Sequence, residues 1–245
     1  MKIALISDIH GNLHALERVL NALDRDPPDQ IICLGDVAAT GPQPDQCVAR
    51  LRERNIACIV GNADAWLLDP QPSENASNFT RFVEEIDLWC TAQFAAEDVA
   101  YLRAAQPTIE VTLPGHKPLL CYHGSPQSFH DGIVATTPDE EVAQRIDGYN
   151  AQFFAGGHTH QQLLRRYRDA IILNPGSVGL SYELDRQSGE ASNVGWAEYA
   201  ILEADKTGSL QIDLRRLPLD VKAIVQSAYE SGMPRAAEWA EHWLR

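Results

Sequence analysis

The chain has 245 residues, with 34 acidic against 20 basic side chains and a formal net charge of −14. That length and 44% apolar content suit a single α/β domain, residues 1–245, with a sizeable core. The acidity disfavours long nucleic acid and anionic lipid as partners, because both are repelled by such a surface. A small anionic substrate stays open, since bound cations dominate the field locally. No window approaches a membrane span and Met1–Asp8 leaves no room for a basic, apolar leader, so no membrane association and a cytoplasmic location are expected. Cys33, Cys47, Cys58, Cys90 and Cys121 form no CxxC pair, which predicts buried free thiols.

In chain order, the first sixty residues alternate short apolar runs with helical patterns. Ile3–Ile6, Ile31–Leu34 and Ile56–Val60 read as strands, with helices over 13–24 and 45–54 between them. Leu13, Leu16, Leu20 and Leu23 recur at spacings of three and four, as a core-facing stripe requires. The alternation predicts βαβ units and parallel strands covered on both faces. A loop rich in Pro, Ser and Asn over 67–78 opens a helical segment over 79–103, so a helical insertion is expected at about residues 65–105. Its aromatics Phe79, Phe82, Trp89 and Phe94 suit a roof over a cleft or, more simply, core.

The second half predicts a hairpin, 109–113 with 119–122, turning at Pro114-Gly115. Strands at 153–155, 163–167 and 170–173 follow, with a tight turn at Arg168-Asp169. A final hairpin pairs 199–202 with 210–214 around Thr207-Gly208, and a helical tail over about 220–245 ends at Arg245. This order suits two facing mixed sheets in a sandwich flanked by helices, an α/β/β/α arrangement.

Seven potential metal ligands lie on five short turns of this chain: Asp8 and His10, Asp36, Asn62, His123, then His158 and His160. Four of the turns directly follow an apolar run, which brings them together at the carboxyl ends of strands. Taken singly, each has an ordinary structural role: Asx turn or N-cap for Asp36, turn former for Asn62, core histidine for His123. Gly156-Gly157-His158-Thr159-His160 is more telling, because two histidines one residue apart can address neighbouring cations where glycines let backbone approach.

Ser7-Asp8-Ile9-His10-Gly11-Asn12, Gly35-Asp36, Gly61-Asn62, Tyr122-His123-Gly124, Gly157-His158-Thr159-His160 and Asn174-Pro175-Gly176-Ser177 together resemble the calcineurin-like metallophosphoesterases, over residues 3–179. The resemblance implies two divalent ions, manganese, iron, zinc or nickel, one held by Asp8, His10, Asp36 and His160. The other would be held by Asp36, Asn62, His123 and His158, with Asp36 bridging. It further implies attack on phosphorus by a water or hydroxide between the cations, which also neutralise the phosphoryl oxygens.

The chain departs from the family at Ala63, where many members carry a histidine that serves the leaving group. Methyl cannot donate a proton, a loss tolerable for good leaving groups or with a replacement donor. His130, seven residues past His123, is the candidate replacement, and an exposed loop histidine is its ordinary reading. Asp64 is a second acid nearby, more simply a cap for the residues that follow. Asn12 and Arg81, with Asn62, are candidate phosphate contacts. Asn12 equally serves the start of the first helix, and Asn174 and Ser177 suit a structural turn. The function expected is hydrolysis of phosphodiesters, or activated monoesters, of small molecules. The alternatives are a non-catalytic binding scaffold on the same fold and a serine/threonine protein phosphatase. Oligomeric state is not legible.

Overall fold

In a computed structural model describing residues 1–184, 189 and 191–244, the alternating first half forms a parallel sheet core. The elements are β1 (Lys2–Ile6), α1 (Leu13–Arg25), β2 (Gln30–Cys33), α2 (Pro44–Glu53), β3 (Ala57–Cys58) and α3 (Asn62–Leu68). Two further helices follow, α4 (Asn78–Thr91) and α5 (Ala96–Arg103), then β4 (Thr108–Leu113), β5 (Lys117–Tyr122), α6 (Asp139–Ile146) and β6 (Phe153–Ala155). The remainder is β7 (Leu163–Tyr167), β8 (Ala170–Asn174), β9 (Tyr182–Leu184), β10 (Ala191–Asn193), β11 (Trp196–Ala204), β12 (Leu210–Pro218), α7 (Val221–Glu230) and α8 (Ala236–Leu244).

The first sheet has the order β12-β11-β1-β2-β3 and the second β4-β5-β6-β8-β7. In the first, β1, β2 and β3 are parallel; in the second, β5, β6 and β8 are parallel. Antiparallel strands occupy the remaining places in both. Strand alternation then divides the core. Ile3 and Leu5 of β1 join Leu119, Cys121 and Phe153 in a cluster between the sheets. Ala4 and Ile6 point the other way, against Leu16, Leu20 and Val48 of the first helices. On the far face Leu120 and Tyr122 pack with Val142 and Ile146 of α6. The layers are therefore helix, sheet, sheet, helix, as expected from the sequence.

Several boundaries differ from expectation, each for a tertiary reason. The run 56–60 pairs as a strand only at Ala57–Cys58, because the Ile56 N–H bonds Leu51 O at the end of α2 and Ile59 forms a bridge with Gln106. The helical segment 79–103 is two helices. Asp98 accepts the Ala95 N–H at 3.0 Å and starts α5 afresh without a proline or glycine to announce it. The tail likewise splits at Gly232 and Arg235, both at positive φ, and its last residue, Arg245, lies outside the described residues. Helix α6 and the β9–β10 hairpin were not legible in the sequence. All five cysteines are free and buried. No described helix is long and apolar enough to cross a membrane.

Leu16 is fully buried between α1 and the first sheet. Leu16→Ala should lower unfolding free energy by about 2–5 kcal/mol, read from urea denaturation followed by far-ultraviolet circular dichroism.

Candidate active site

Every expected ligand turn lies at the carboxyl end of a parallel strand: Asp8 and His10 after β1, Asp36 after β2, Asn62 after β3, His123 after β5, His158 and His160 after β6. The two sheets face each other, so the turns meet. The turns interlock through backbone: Asp8 N–H bonds Gly35 O, His10 N–H bonds Asp36 O, and Gly157 N–H bonds His123 O at 2.7–3.0 Å. Asp8, His10, Asp36, His158 and His160 all have left-handed backbone, with φ between 48° and 66°. For residues other than glycine this conformation costs of order 1–3 kcal/mol each and collects where surrounding structure enforces it for a purpose.

Glycine matters at two of these turns because of crowding. A methyl on Gly61 would collide with Asp36 Oδ1, and one on Gly157 would collide with Ser7 Oγ and press on Asp8 Oδ2.

Side-chain donors converge in two groups, Asp8 with His10 and His160, and Asp36 with His123 and His158; in each, the ligand atoms lie within 4.8 Å of one another. His10 Nδ1 donates to Ala39 O at 3.1 Å, His123 Nδ1 to Leu34 O at 2.8 Å and His160 Nδ1 to Leu180 O at 2.7 Å. A carbonyl only accepts, so each Nδ1 carries a proton and each ring turns its Nε2 inward, bare in His10 and His160. His10 Nε2 and His160 Nε2 stand 3.1 Å apart. Burial, and for His10 the neighbouring His160, holds both rings below the usual histidine range, so two lone pairs face each other with no proton to share. Asp8 Oδ1, 3.4 Å from His160 Nε2, is buried without a hydrogen-bond partner. Such a set of unsatisfied donors fits a divalent cation of the nitrogen- and oxygen-ligand type.

Asp36 lies between the groups. Its Oδ1 accepts the Ala63 N–H at 2.9 Å, and its Oδ2 is 3.7 Å from His10 Nε2 and 3.4 Å from His123 Nε2. Burial would raise Asp36, but His123 and His10 overcome it and hold the carboxylate well below its usual range. The same pairing lifts His123 against burial to about 10. Asn62 Oδ1 is 3.0 Å from His123 Nε2, which puts it beside the second group. His158, partly exposed, donates its backbone N–H to Asp8 Oδ2 at 3.1 Å.

Asp64 does more than cap a helix. It accepts from Gly61 N–H at 3.1 Å, and also from Asp36 N–H at 2.7 Å and Val37 N–H at 2.9 Å, tying the second and third turns together. Burial and the Asp36 charge push it up to about 6. Asn174 bonds Gly157 O and Gly176 N–H, and Ser177 bonds Asp8 O and Leu180 N–H, so both are structural.

Two expected phosphate contacts lie elsewhere. Asn12 is fully buried: its oxygen accepts the Ala15 N–H as N-cap of α1 and its amide donates to Gly179 O, so it ties the first turn to the fold. Arg81 is exposed on α4 and turns its guanidinium to Ala76 O. His130 is also exposed, but it lines a cavity of about 260 Å³ together with His123 and Ser125. Phe82 is buried while Phe79 stands 67% exposed.

The structure adds one feature that residue patterns do not reveal. Thr40, at φ 62°, is gripped by Asp87 of α4, which accepts its N–H at 2.6 Å and its hydroxyl at 2.9 Å. Trp239 of α8 donates its indole N–H to Thr40 O at 2.8 Å. The residue before Thr40 is Ala39, the carbonyl that orients His10.

Over residues 1–205 the sequence matches the model of the calcineurin-like phosphoesterase superfamily domain. The chain belongs to that superfamily. A metallophosphoesterase from Sphaerobacter thermophilus superposes with a TM-score of 0.76 at 25% identity, covering 100% of this chain and 98% of its own. A hypothetical protein from Pyrococcus horikoshii has the same fold, with a TM-score of 0.74 at 17% identity over 98% of this chain and 96% of its own. An uncharacterized protein of Methanocaldococcus jannaschii is 26% identical over 243 residues, 97% of this chain and 94% of that protein. Divalent metal binding is general in this phosphoesterase superfamily, and the two donor groups above are where this member has candidate ligands.

Burial raises Asp87 from 3.8 to about 7 against the pull of its Thr40 hydrogen bonds. A carboxyl whose folded pKa is raised contributes stability that is full below its unfolded value and lost as pH climbs through the folded one. Asp87→Asn keeps the accepting oxygen without the charge. In chelator-treated protein the variant should melt above wild type at pH 8, with the gap closing towards pH 4, as measured by calorimetry.

Proposed function

We propose that this chain is a dinuclear metal-dependent phosphoesterase hydrolysing phosphodiesters, or activated monoesters, of small molecules. The observation that carries the reading is the facing of bare donors: His10 Nε2 against His160 Nε2, and Asp8 Oδ1 with no partner. Asp8, His10, Asp36 and His160 would hold one cation, and Asp36, Asn62, His123 and His158 the other. When bound, the cations supply Lewis acidity to the phosphoryl oxygens and lower the pKa of a water.

The chain's own residues do the positioning. Backbone carbonyls of Leu34, Ala39 and Leu180 set three imidazoles in the ligand tautomer. Ala63 contributes its N–H to Asp36 Oδ1 and leaves Oδ2 to the histidines. Its methyl offers no proton to a leaving oxygen, and His130, sharing a cavity with His123, is the proposed donor. The acidic surface, −14 overall, favours a small substrate over long nucleic acid.

Elemental analysis of the purified chain should find close to two divalent ions per molecule, and bis-p-nitrophenyl phosphate should be turned over with manganese. Asp36→Asn should lower that turnover at least about a hundredfold. Absence of turnover with manganese, zinc, nickel or iron on both the diester and p-nitrophenyl phosphate would falsify the reading. His130→Ala should lower turnover of an alkyl ester by about a hundredfold while sparing p-nitrophenyl esters, whose leaving group needs no proton. Equal losses on both would remove His130 from that role.

A further inference from the structure

A cavity of about 360 Å³, within the size range of small-ligand pockets, lies between helices α4 and α8 and against the loops at Thr40 and Leu180. Phe79, Phe82 and Val83 of α4, Leu180, and Trp239 of α8 line it, with Thr40. Two of these residues connect it to the donors. Leu180 O holds His160 Nδ1 at 2.7 Å, and Thr40 follows Ala39, whose carbonyl holds His10 Nδ1. Through these two loops the cavity adjoins the residues that orient His10 and His160.

The chemistry of the walls is specific. The indole N–H of Trp239 is engaged by Thr40 O, so the ring offers only its hydrocarbon surface. Phe82 stacks obliquely on Phe79 at 6.3 Å and on His242, also a wall residue, at 5.9 Å between centroids. Among the described residues no Lys, Arg, Asp or Glu lines the cavity. Aromatic walls of this kind favour a flat ring, through area burial and edge-to-face or offset contacts. The cavity beside His123 differs in kind, being walled largely by the Ser125–His130 loop. Phe79, 67% exposed in a segment of aromatics, is hard to explain as core but natural as the rim of a binding cavity.

We propose that this cavity binds an aromatic ring carried on one ester oxygen of the substrate, which makes aryl-bearing phosphoesters the preferred class. The inference rests on the phosphoesterase reading for the placement of the phosphorus and on the cavity alone for the ring.

Titration calorimetry on the full, manganese-loaded chain with phenylphosphonate and methylphosphonate tests it without turnover. Phenylphosphonate should bind at least about tenfold more tightly. Phe79→Ala, which removes a largely exposed side chain, and Val83→Asp should each bring that ratio towards one. Leu88→Ala, exposed on the same helix and outside the cavity, should keep it. A ratio near one in the wild type, no binding of the phenyl compound, or a ratio unchanged in both cavity variants overturns the proposal. The two readings fail separately. If the ratio holds while p-nitrophenyl esters are not hydrolysed, the cavity assignment stands and the phosphoesterase reading falls. Turnover with equal affinities for the two phosphonates has the opposite meaning.

Discussion

A carboxylate that is only 3% exposed must find compensation within the fold, and Asp36 finds it in two imidazoles and one peptide N–H. Those partners come from three separate strand ends: His10 after β1, Ala63 after β3, and His123 after β5 in the opposite sheet. Keeping Asp36 charged therefore requires both sheets to be in register with each other. Asp64 strengthens the demand, since it grips the Asp36 and Val37 N–H groups from the start of α3. Two buried carboxyls so close are unfavourable together, and the cost falls on Asp64, pushed up to about 6, while Asp36 stays ionised.

The elements outside the two sheets are part of the same arrangement. Helix α4, in the insertion, and helix α8, in the C-terminal tail, both hold Thr40, through Asp87 and Trp239. One residue away, Ala39 O orients His10. Those same helices supply most of the walls of the aromatic cavity. The orientation of His10 and the walls of the aromatic cavity are thus joined through one strained threonine at φ 62°. The Asp87 contact ties the insertion to the turn whose Ala39 carbonyl holds His10.

The sandwich and the seven candidate ligands were legible because both depend on local signals. Apolar runs of strand length mark β1, β2, β5, β6 and β8, and polar residues directly after them mark the turns. Where the reading failed, contacts distant in sequence had overruled the local pattern. Asn12 has the position of a phosphate contact, yet Gly179, 167 residues on, takes its amide. Arg81 has the charge for a phosphate contact, but its guanidinium turns to Ala76 O. The 56–60 run looks like a full strand, but helix α2 claims Ile56. The residue pattern presents Asp64 as a cap because only its Gly61 bond is local; its bonds to Asp36 and Val37 span 28 and 27 residues.

What the amino-acid order determined by itself is the donor set and its placement at strand ends, since residue type and hydrophobic periodicity are properties of short segments. Only the tertiary structure decided which nitrogen of each histidine faces inward, because the deciding carbonyls, Leu34, Ala39 and Leu180, lie 89, 29 and 20 residues from the rings they hold. It also decided that Thr40 would be clamped by a tryptophan 199 residues away, and that aromatics patterned like core would wall a cavity. Orientation and enclosure depend on contacts between distant segments, and those exist only once the two sheets and their covering helices have come together.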